Sequence, residues 1–308
     1  MMGGLSLQRY ILTSLKWMKG IKKNILPSAL YHEVPPTVQV EPTNFCNLGC
    51  ICCSAPKGIR KKGYMEYSLS RKIVDDAEKL GVKKVDLFLH GEPFIHPEII
   101  EMLDYFRTKR LKVELATNCM LMDEQKTKDI FSLGLTENFT IRFSMLGFSK
   151  EIHEKIQRGV NHETVLSNVN YFLKLKKKLG RAYPKTKMQF YVIPENAHEK
   201  KQFMEYWHGK VDYLCINSAS IKFRYHRNIS DNLKQRRTYC WDFWNRMTIF
   251  WNGDVSMCCV DVDGNYIVGN LEQSSIKAIW NGNQMHKLRK LHRASKFEDL
   301  QLCKNCDF

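Results

Sequence analysis

The stretch Val40-Glu41-Pro42-Thr43-Asn44-Phe45-Cys46-Asn47-Leu48-Gly49-Cys50-Ile51-Cys52-Cys53 sets Cys46, Cys50 and Cys53 in a C-x3-C-x2-C spacing directly after an apolar, β-branched run. Three thiolates this close on one loop can hold three corners of a cubane iron–sulfur cluster, leaving the fourth iron open to a small molecule. The same cysteines also suit a zinc knuckle or a group of buried free thiols. The later segments of the chain decide between these.

The chain is long enough, at 308 residues, for one large α/β domain with a small appendage. No apolar run approaches the ~20 residues that cross a bilayer, and the N-terminus lacks the pattern of a signal peptide. Eleven cysteines in such a chain predict metal or redox chemistry in a reducing, cytoplasmic setting, not a disulfide framework. The net charge of +16 favours an anionic partner: a phosphorylated substrate, an acidic membrane surface, a nucleic acid or an electron-donor protein.

Residues 1–36 form an N-terminal extension in which Leu7, Ile11, Leu15, Met18, Ile21 and Ile25 recur at roughly helical spacing among lysines and an arginine. This predicts a basic amphipathic helix, either lying on a membrane or partner or, the preferred reading, capping the bottom of a barrel. From Thr37 the pattern alternates. Strands are predicted at Thr37–Glu41, Lys84–Leu89, Lys112–Ala116, Phe139–Ser144, Lys187–Ile193 and Val211–Asn217. Helices are predicted near Leu69–Leu80, Pro97–Thr108, Asp123–Leu133, Glu163–Leu179 and Ala197–Trp207. Such alternation gives a parallel sheet, open or closed. One face of each strand is apolar, whereas the other carries Gln39 and Glu41, Glu114 and Asn118, Arg142 and Ser144, or Gln189 and Tyr191. A doubly covered open sheet would not tolerate these, so the expected α/β fold is a partial (β/α)6 TIM barrel, with its chemistry at the C-terminal strand ends.

Those ends carry motifs. The second strand runs into His90-Gly91-Glu92-Pro93, the third into Thr117-Asn118-Cys119 and the fourth into Ser144-Met145-Leu146-Gly147, with Arg158-Gly159 further on. Together with C-x3-C-x2-C, this order resembles the radical S-adenosylmethionine (SAM) superfamily. The resemblance implies a SAM-binding [4Fe-4S] cluster held by Cys46, Cys50 and Cys53. It also implies SAM contacts from Gly91, Glu92, Pro93, Asn118, Ser144 and Arg158, with Gly91–Glu92 meeting the methionyl amino group and Arg158 its carboxylate. The chain departs from the family pattern in three places: His90 and Cys119 stand where glycines are common, and Leu146 where an aspartate is frequent.

A different module begins after Arg224-Tyr225-His226-Arg227. Cys240, an Asn252-Gly253 hairpin signal, Cys258, Gly269-Asn270-Leu271, a Trp280-bearing helix, a basic helix at Gln284–His292 and Cys303-x2-Cys306 succeed one another. The order resembles the twitch domain, the short form of the SPASM extension, giving domains 1–36, 37–226 and 227–308. It implies one auxiliary [4Fe-4S] cluster on Cys240, Cys258, Cys303 and Cys306; the spacing alone would also fit zinc. A cluster with all its irons ligated would accept or relay an electron. The expected activity is therefore a radical SAM oxidation of a small polar, sugar- or cyclitol-like molecule, with a flavodoxin- or ferredoxin-type donor. The C-terminal layout is similar to that of 2-deoxy-scyllo-inosamine dehydrogenase.

The alternative is a peptide modifier that cross-links or epimerises, with Cys215 as a hydrogen donor if its thiol faces the barrel. A basic nucleic-acid-binding protein with two zinc sites is the disfavoured third reading. Cys52 stands where an aromatic usually packs on adenine, Cys119, Cys215 and Cys259 fall outside the ligand sets, and Arg224, His226 and Tyr191 are further substrate-contact candidates by location alone.

Overall fold

A computed structural model describes residues 31–218, 240–304 and 306. The expected N-terminal helix, the 226/227 domain boundary, Arg224 and His226 lie outside the described residues.

The strands and helices alternate as expected. β1 (Thr37–Val40), β2 (Lys84–Leu87), β3 (Lys112–Thr117), β4 (Phe139–Ser144), β5 (Lys185–Val192) and β6 (Tyr213–Ser218) pair in parallel in that order. Between them run α1 (Tyr67–Lys79), α2 (Ile99–Phe106), α3 (Glu124–Ser132), α4 (Lys150–Ile156), α5 (His162–Lys178) and α6 (Lys200–Trp207). Each helix turns an apolar stripe to the sheet; on α1, Leu69, Ile73, Val74 and Ala77 are buried at i, i+4, i+5 and i+8. Full burial of such a side chain contributes about 1.5–3 kcal/mol. Short α4 went unpredicted because only Ile152 and Ile156 mark its apolar side; Ser149 starts it by accepting Ile152 N–H.

The apolar sheet face meets the helices, and the other face is concave and charged. Its centre is Glu114, 4% exposed, whose carboxylate meets Lys84 of β2 at 2.7 Å, Lys187 of β5 at 2.9 Å and Arg142 of β4 at 3.3 Å. Side chains of β2, β4 and β5 reach one carboxylate of β3 because the sheet curls around it, as in an incomplete barrel. The cations hold the Glu114 pKa down at about 2, against a burial that alone would raise it.

The C-terminal module continues the same sheet. After α7 (Trp241–Asn245), β7 (Arg246–Ile249) pairs in parallel with β1, and β8 (Asp254–Ser256) and β9 (Ile267–Asn270) extend it antiparallel. The Asn252-Gly253 turn joins β7 to β8, with Gly253 at φ +81°. Then come α8 (Ile276–Trp280), α9 (Asn283–Arg293) and α10 (Gln301–Lys304). Residues leading into β1 dock here: Trp280 Nε1 donates to His32 O at 2.7 Å, and buried Arg289 lies over the Trp280 ring at 4.4 Å. Among the described residues no helix is long and apolar enough to cross a membrane.

Replacing Glu114 by Gln leaves Lys84, Arg142 and Lys187 without their common counter-charge, so it should destabilise the fold by about 3–5 kcal/mol in denaturant titration. Because the folded pKa lies below the unfolded one, this carboxylate stabilises above about pH 4.5. That contribution should fade as pH falls toward about 2, and Glu114→Gln should flatten the acid limb.

Candidate active site

The cysteine loop leaves β1 and is pinned from both sides by the expected SAM motifs. Gly91 lies so close that a Cβ there would sit 2.2 Å from Thr43 O and 2.6 Å from Phe45 O, and Glu92 N donates to Phe45 O at 2.9 Å. Only glycine fits. Glu92 is buried, and its carboxylate accepts Phe94 N at 3.1 Å, Thr117 Oγ1 at 2.7 Å and Asn118 N at 2.7 Å. Burial pushes its pKa up to about 7. Asn118 then reaches the cysteine loop, donating from Nδ2 to Asn47 Oδ1 at 2.9 Å. On the other side Gly49 N donates to Arg158 O at 2.8 Å and Ile51 N to Ile156 O at 2.9 Å.

Ser144 ends β4 half-buried, Pro93 is buried, and Arg158 is exposed beside the loop. Leu146, Ile156 and Ile193 form an apolar patch at these strand ends, with Ile51, Cys52, Ile152 and Tyr191 packed against it. Cys119 occupies the family glycine position with φ +66°, the left-handed conformation glycine takes freely, and its buried thiol meets Thr117 O at 3.7 Å.

The donor set fits an iron–sulfur cluster. Thiolate is the donor such a cluster takes, and burial, then the neighbouring Cys53, Cys52 and Cys46, push the Cys50 thiol above its ordinary range in the cluster's absence. Among the described residues no group of three or more His, Cys, Asp or Glu side chains is disposed to hold a lone metal ion.

The second cysteine group assembles from distant segments. Cys240 caps α7, Cys303 lies on α10, and Cys306 N donates to Cys303 O at 3.2 Å. Burial, with Asp242, Cys306 and Cys259, raises the Cys240 thiol to about 12. Cys258 is raised too, first by its hydrogen bond with Cys259, then by burial and the charges of Cys259 and Cys240. Cys303 Sγ lies 3.6 Å from His292 Nε2. Arg246, at the start of β7, bonds the Cys259 side chain and pairs with Asp242 at 2.7 Å and with Asp86 of β2 at 3.5 Å. The guanidinium therefore joins this thiol group to the concave face.

Local sequence patterns give no sign of a buried cluster between the two sites. Glu41, fully buried, takes both Arg60 Nη1 (2.9 Å) and Nη2 (2.7 Å), and His90 Nδ1 stands 3.2 Å from it. No spacing rule points to Arg60; only the presence of an acid directly after an apolar strand hints that Glu41 needs a partner.

A parallel half-barrel carrying an open cysteine loop at its strand ends and a second thiol group on its edge defines an iron–sulfur enzyme of the SAM-binding type. The family description "Radical SAM superfamily" matches residues 40–206, more than half of the chain, and "Iron-sulfur cluster-binding domain" (SPASM) matches residues 240–307. The chain belongs to the radical SAM superfamily and carries a SPASM-type C-terminal domain. Its cofactors are those of these families: SAM, a [4Fe-4S] cluster and auxiliary iron–sulfur.

A tungsten-containing aldehyde ferredoxin oxidoreductase cofactor-modifying protein of Pyrococcus furiosus is 26% identical over 173 residues, 54% of this chain. The match spans 46% of that relative, less than half its length. Among solved structures, BtrN in complex with AdoMet and 2-DOIA is similar at TM-score 0.60 and 16% identity, over 89% of this chain and 94% of that one. Streptococcus suis SuiB bound to precursor peptide SuiA is similar at TM-score 0.61 and 15% identity, over 92% of this chain and 73% of that one. At such identities the likeness to these two is one of fold.

Two substitutions test this geometry. Gly91→Ala should abolish SAM binding in equilibrium dialysis, because the loop must move off Thr43 and Phe45. Cys119→Gly should be nearly neutral in thermal melts: relief of about 1–2 kcal/mol of left-handed strain offsets glycine's backbone entropy and the lost thiol burial.

Proposed function

We propose that Cys46, Cys50 and Cys53 hold the SAM-binding cluster, that Cys240, Cys258, Cys303 and Cys306 hold one auxiliary cluster, and that the enzyme oxidises a small polar, sugar- or cyclitol-like substrate. A cluster held by these three cysteines would supply the one-electron reduction by which bound SAM is activated for hydrogen abstraction. The chain's own residues hold and aim. Gly91, Glu92 and Pro93 shape the loop that receives the methionyl amino group; Asn118 and Ser144 flank it. Arg158 offers a cation to the carboxylate, and the patch around Ile51 and Cys52 offers the adenine an apolar wall.

The observation that carries the oxidation is Arg246. It pairs with Asp242, two residues from Cys240, and with Asp86 of the concave face, so an auxiliary cluster on these cysteines would stand beside the substrate face, as an electron acceptor must. The polar concave face around Gln189 and Arg142 supports a hydroxyl-rich substrate, and the net charge of +16 supports an acidic flavodoxin- or ferredoxin-type donor.

A second reading, a peptide epimerase, has one observation in its favour. Cys215 is half-buried, registers with Gln189 on the concave face and meets Asn217 Oδ1 at 3.6 Å, so its side chain is on the side where a substrate radical would form.

Anaerobic reconstitution should give about eight irons per chain, falling to about four in the Cys46→Ala/Cys50→Ala/Cys53→Ala variant. A deuterated cyclitol or amino sugar should pass its label into 5′-deoxyadenosine with a ketone as product. Label transfer from a peptide, lost products in Cys215→Ala and solvent hydrogen at an inverted centre would instead select the epimerase.

A further inference from the structure

We propose that His90 is a positioning residue that fixes the auxiliary-cluster loop to the SAM-binding loop. This rests on the auxiliary-ligand assignment above.

His90 immediately precedes the Gly91-Glu92-Pro93 turn. Its side chain is 8% exposed and bridges two modules. On one side Nε2 lies 3.0 Å from the carbonyl of Cys259, the residue next to Cys258. A carbonyl only accepts, so Nε2 must carry the proton. Nδ1 lies 3.1 Å from Arg60 Nη2 and 3.2 Å from Glu41 Oε1, so the ring's other edge faces the Arg60–Glu41 pair.

Arg60 extends the brace. Its Nε donates to Val262 O at 2.8 Å, its guanidinium lies 3.7 Å over the Phe250 ring, and both its Nη atoms grip Glu41. Glu41 in turn accepts Trp251 N–H at 3.2 Å, and its own amide donates to Ile249 O at 2.9 Å. Thus residues 259 and 262, on the loop after Cys258, are held by two side chains whose common anchor is Glu41 at the root of the cysteine loop. Burial alone would raise the Glu41 pKa, but His90 and Arg60 hold it below the ordinary carboxylate range, so the anchor stays charged. A glycine at position 90 keeps the SAM turn and loses the brace. The Cys258 carbonyl keeps Ser256 Oγ and the Asp261 amide, but the Cys259 carbonyl loses its imidazole partner, and hydrogen bonding around the sulfurs is what tunes a cluster.

The test uses full-length His90→Gly and His90→Gln, with and without the Cys46→Ala/Cys50→Ala/Cys53→Ala background that leaves auxiliary iron as the only cluster. Two readouts are taken: hydrogen–deuterium exchange of the Asp261 and Val262 amides in the metal-free chain, and the electron paramagnetic resonance spectrum and redox midpoint of the reconstituted background. His90→Gly should speed exchange about fivefold to tenfold, the factor one hydrogen bond is worth, and change both spectrum and midpoint. His90→Gln, whose amide can still donate to Cys259 O, should restore them. Unchanged exchange in His90→Gly overturns the proposal. So does faster exchange with an unchanged spectrum and midpoint, because the loop would then be braced without the cluster depending on it. A background that binds no iron at all refutes the auxiliary-ligand assignment instead, and the exchange result then decides the brace alone.

Discussion

A carboxylate with no access to water sits where the first strand gives way to the cysteine loop, and it cannot stay charged there without company. Glu41 obtains that company from three directions: Arg60, beyond the cysteine loop; His90, which opens the SAM turn; and the Trp251 amide of the C-terminal hairpin. Each partner lies on a segment that would otherwise be a free loop. Neutralising one buried charge therefore fixes the relative placement of the pieces that the chemistry requires. The cost of leaving such a charge unpaired, about 3–5 kcal/mol, is large against a typical domain stability of about 5–15 kcal/mol.

The concave face obeys a related logic. A closed parallel barrel is filled with branched apolar side chains, but here the strands present Gln39, Asp86, Glu114, Arg142, Lys187 and Gln189. These groups are tolerable because they neutralise one another in a lattice centred on Glu114, and because the sheet does not close. The result is a floor that is rigid, polar and unable to collapse. Above it, Leu146, Ile156 and Ile193 make an apolar patch distinct from the charged floor.

Much of this is legible in the residues. The strand Phe139–Ser144 falls on the expected bounds because its alternation is unambiguous, and the expected Trp280-bearing helix is Ile276–Trp280, where Ser275 accepts the Ala278 N–H as an N-cap should. Gly91, expected to meet the methionyl amino group, instead lies against the carbonyls of Thr43 and Phe45 in the cysteine loop. What escapes a local reading is long-range. That β7 adds to β1 cannot be seen, since nothing in Arg246–Ile249 names its partner and the two strands are some two hundred residues apart in sequence. Cys119 resembles a conservative replacement of glycine; its positive φ shows that the backbone keeps the glycine conformation and the cysteine bears the strain. The brace on Glu41 escapes because an isolated arginine in a basic chain carries no signal of its own.

The pairing of β7 with β1 also bears on electron flow. By continuing the barrel sheet, it sets Arg246 across from the inner residues of β2, so that one guanidinium touches both Asp86 on the concave face and the Cys259 sulfur. A flexible tether between modules would leave the distance from substrate to auxiliary site to chance; a shared hydrogen-bonded sheet fixes it. An oxidation that must remove an electron from a short-lived substrate radical needs that fixed distance more than it needs any particular side chain. A redox-neutral epimerisation needs only a hydrogen donor at the right face, a demand Cys215 could meet without the extra strands. The electron-accepting role proposed above draws on this placement: the shared sheet holds the thiol group on the barrel edge at one distance from the strand ends.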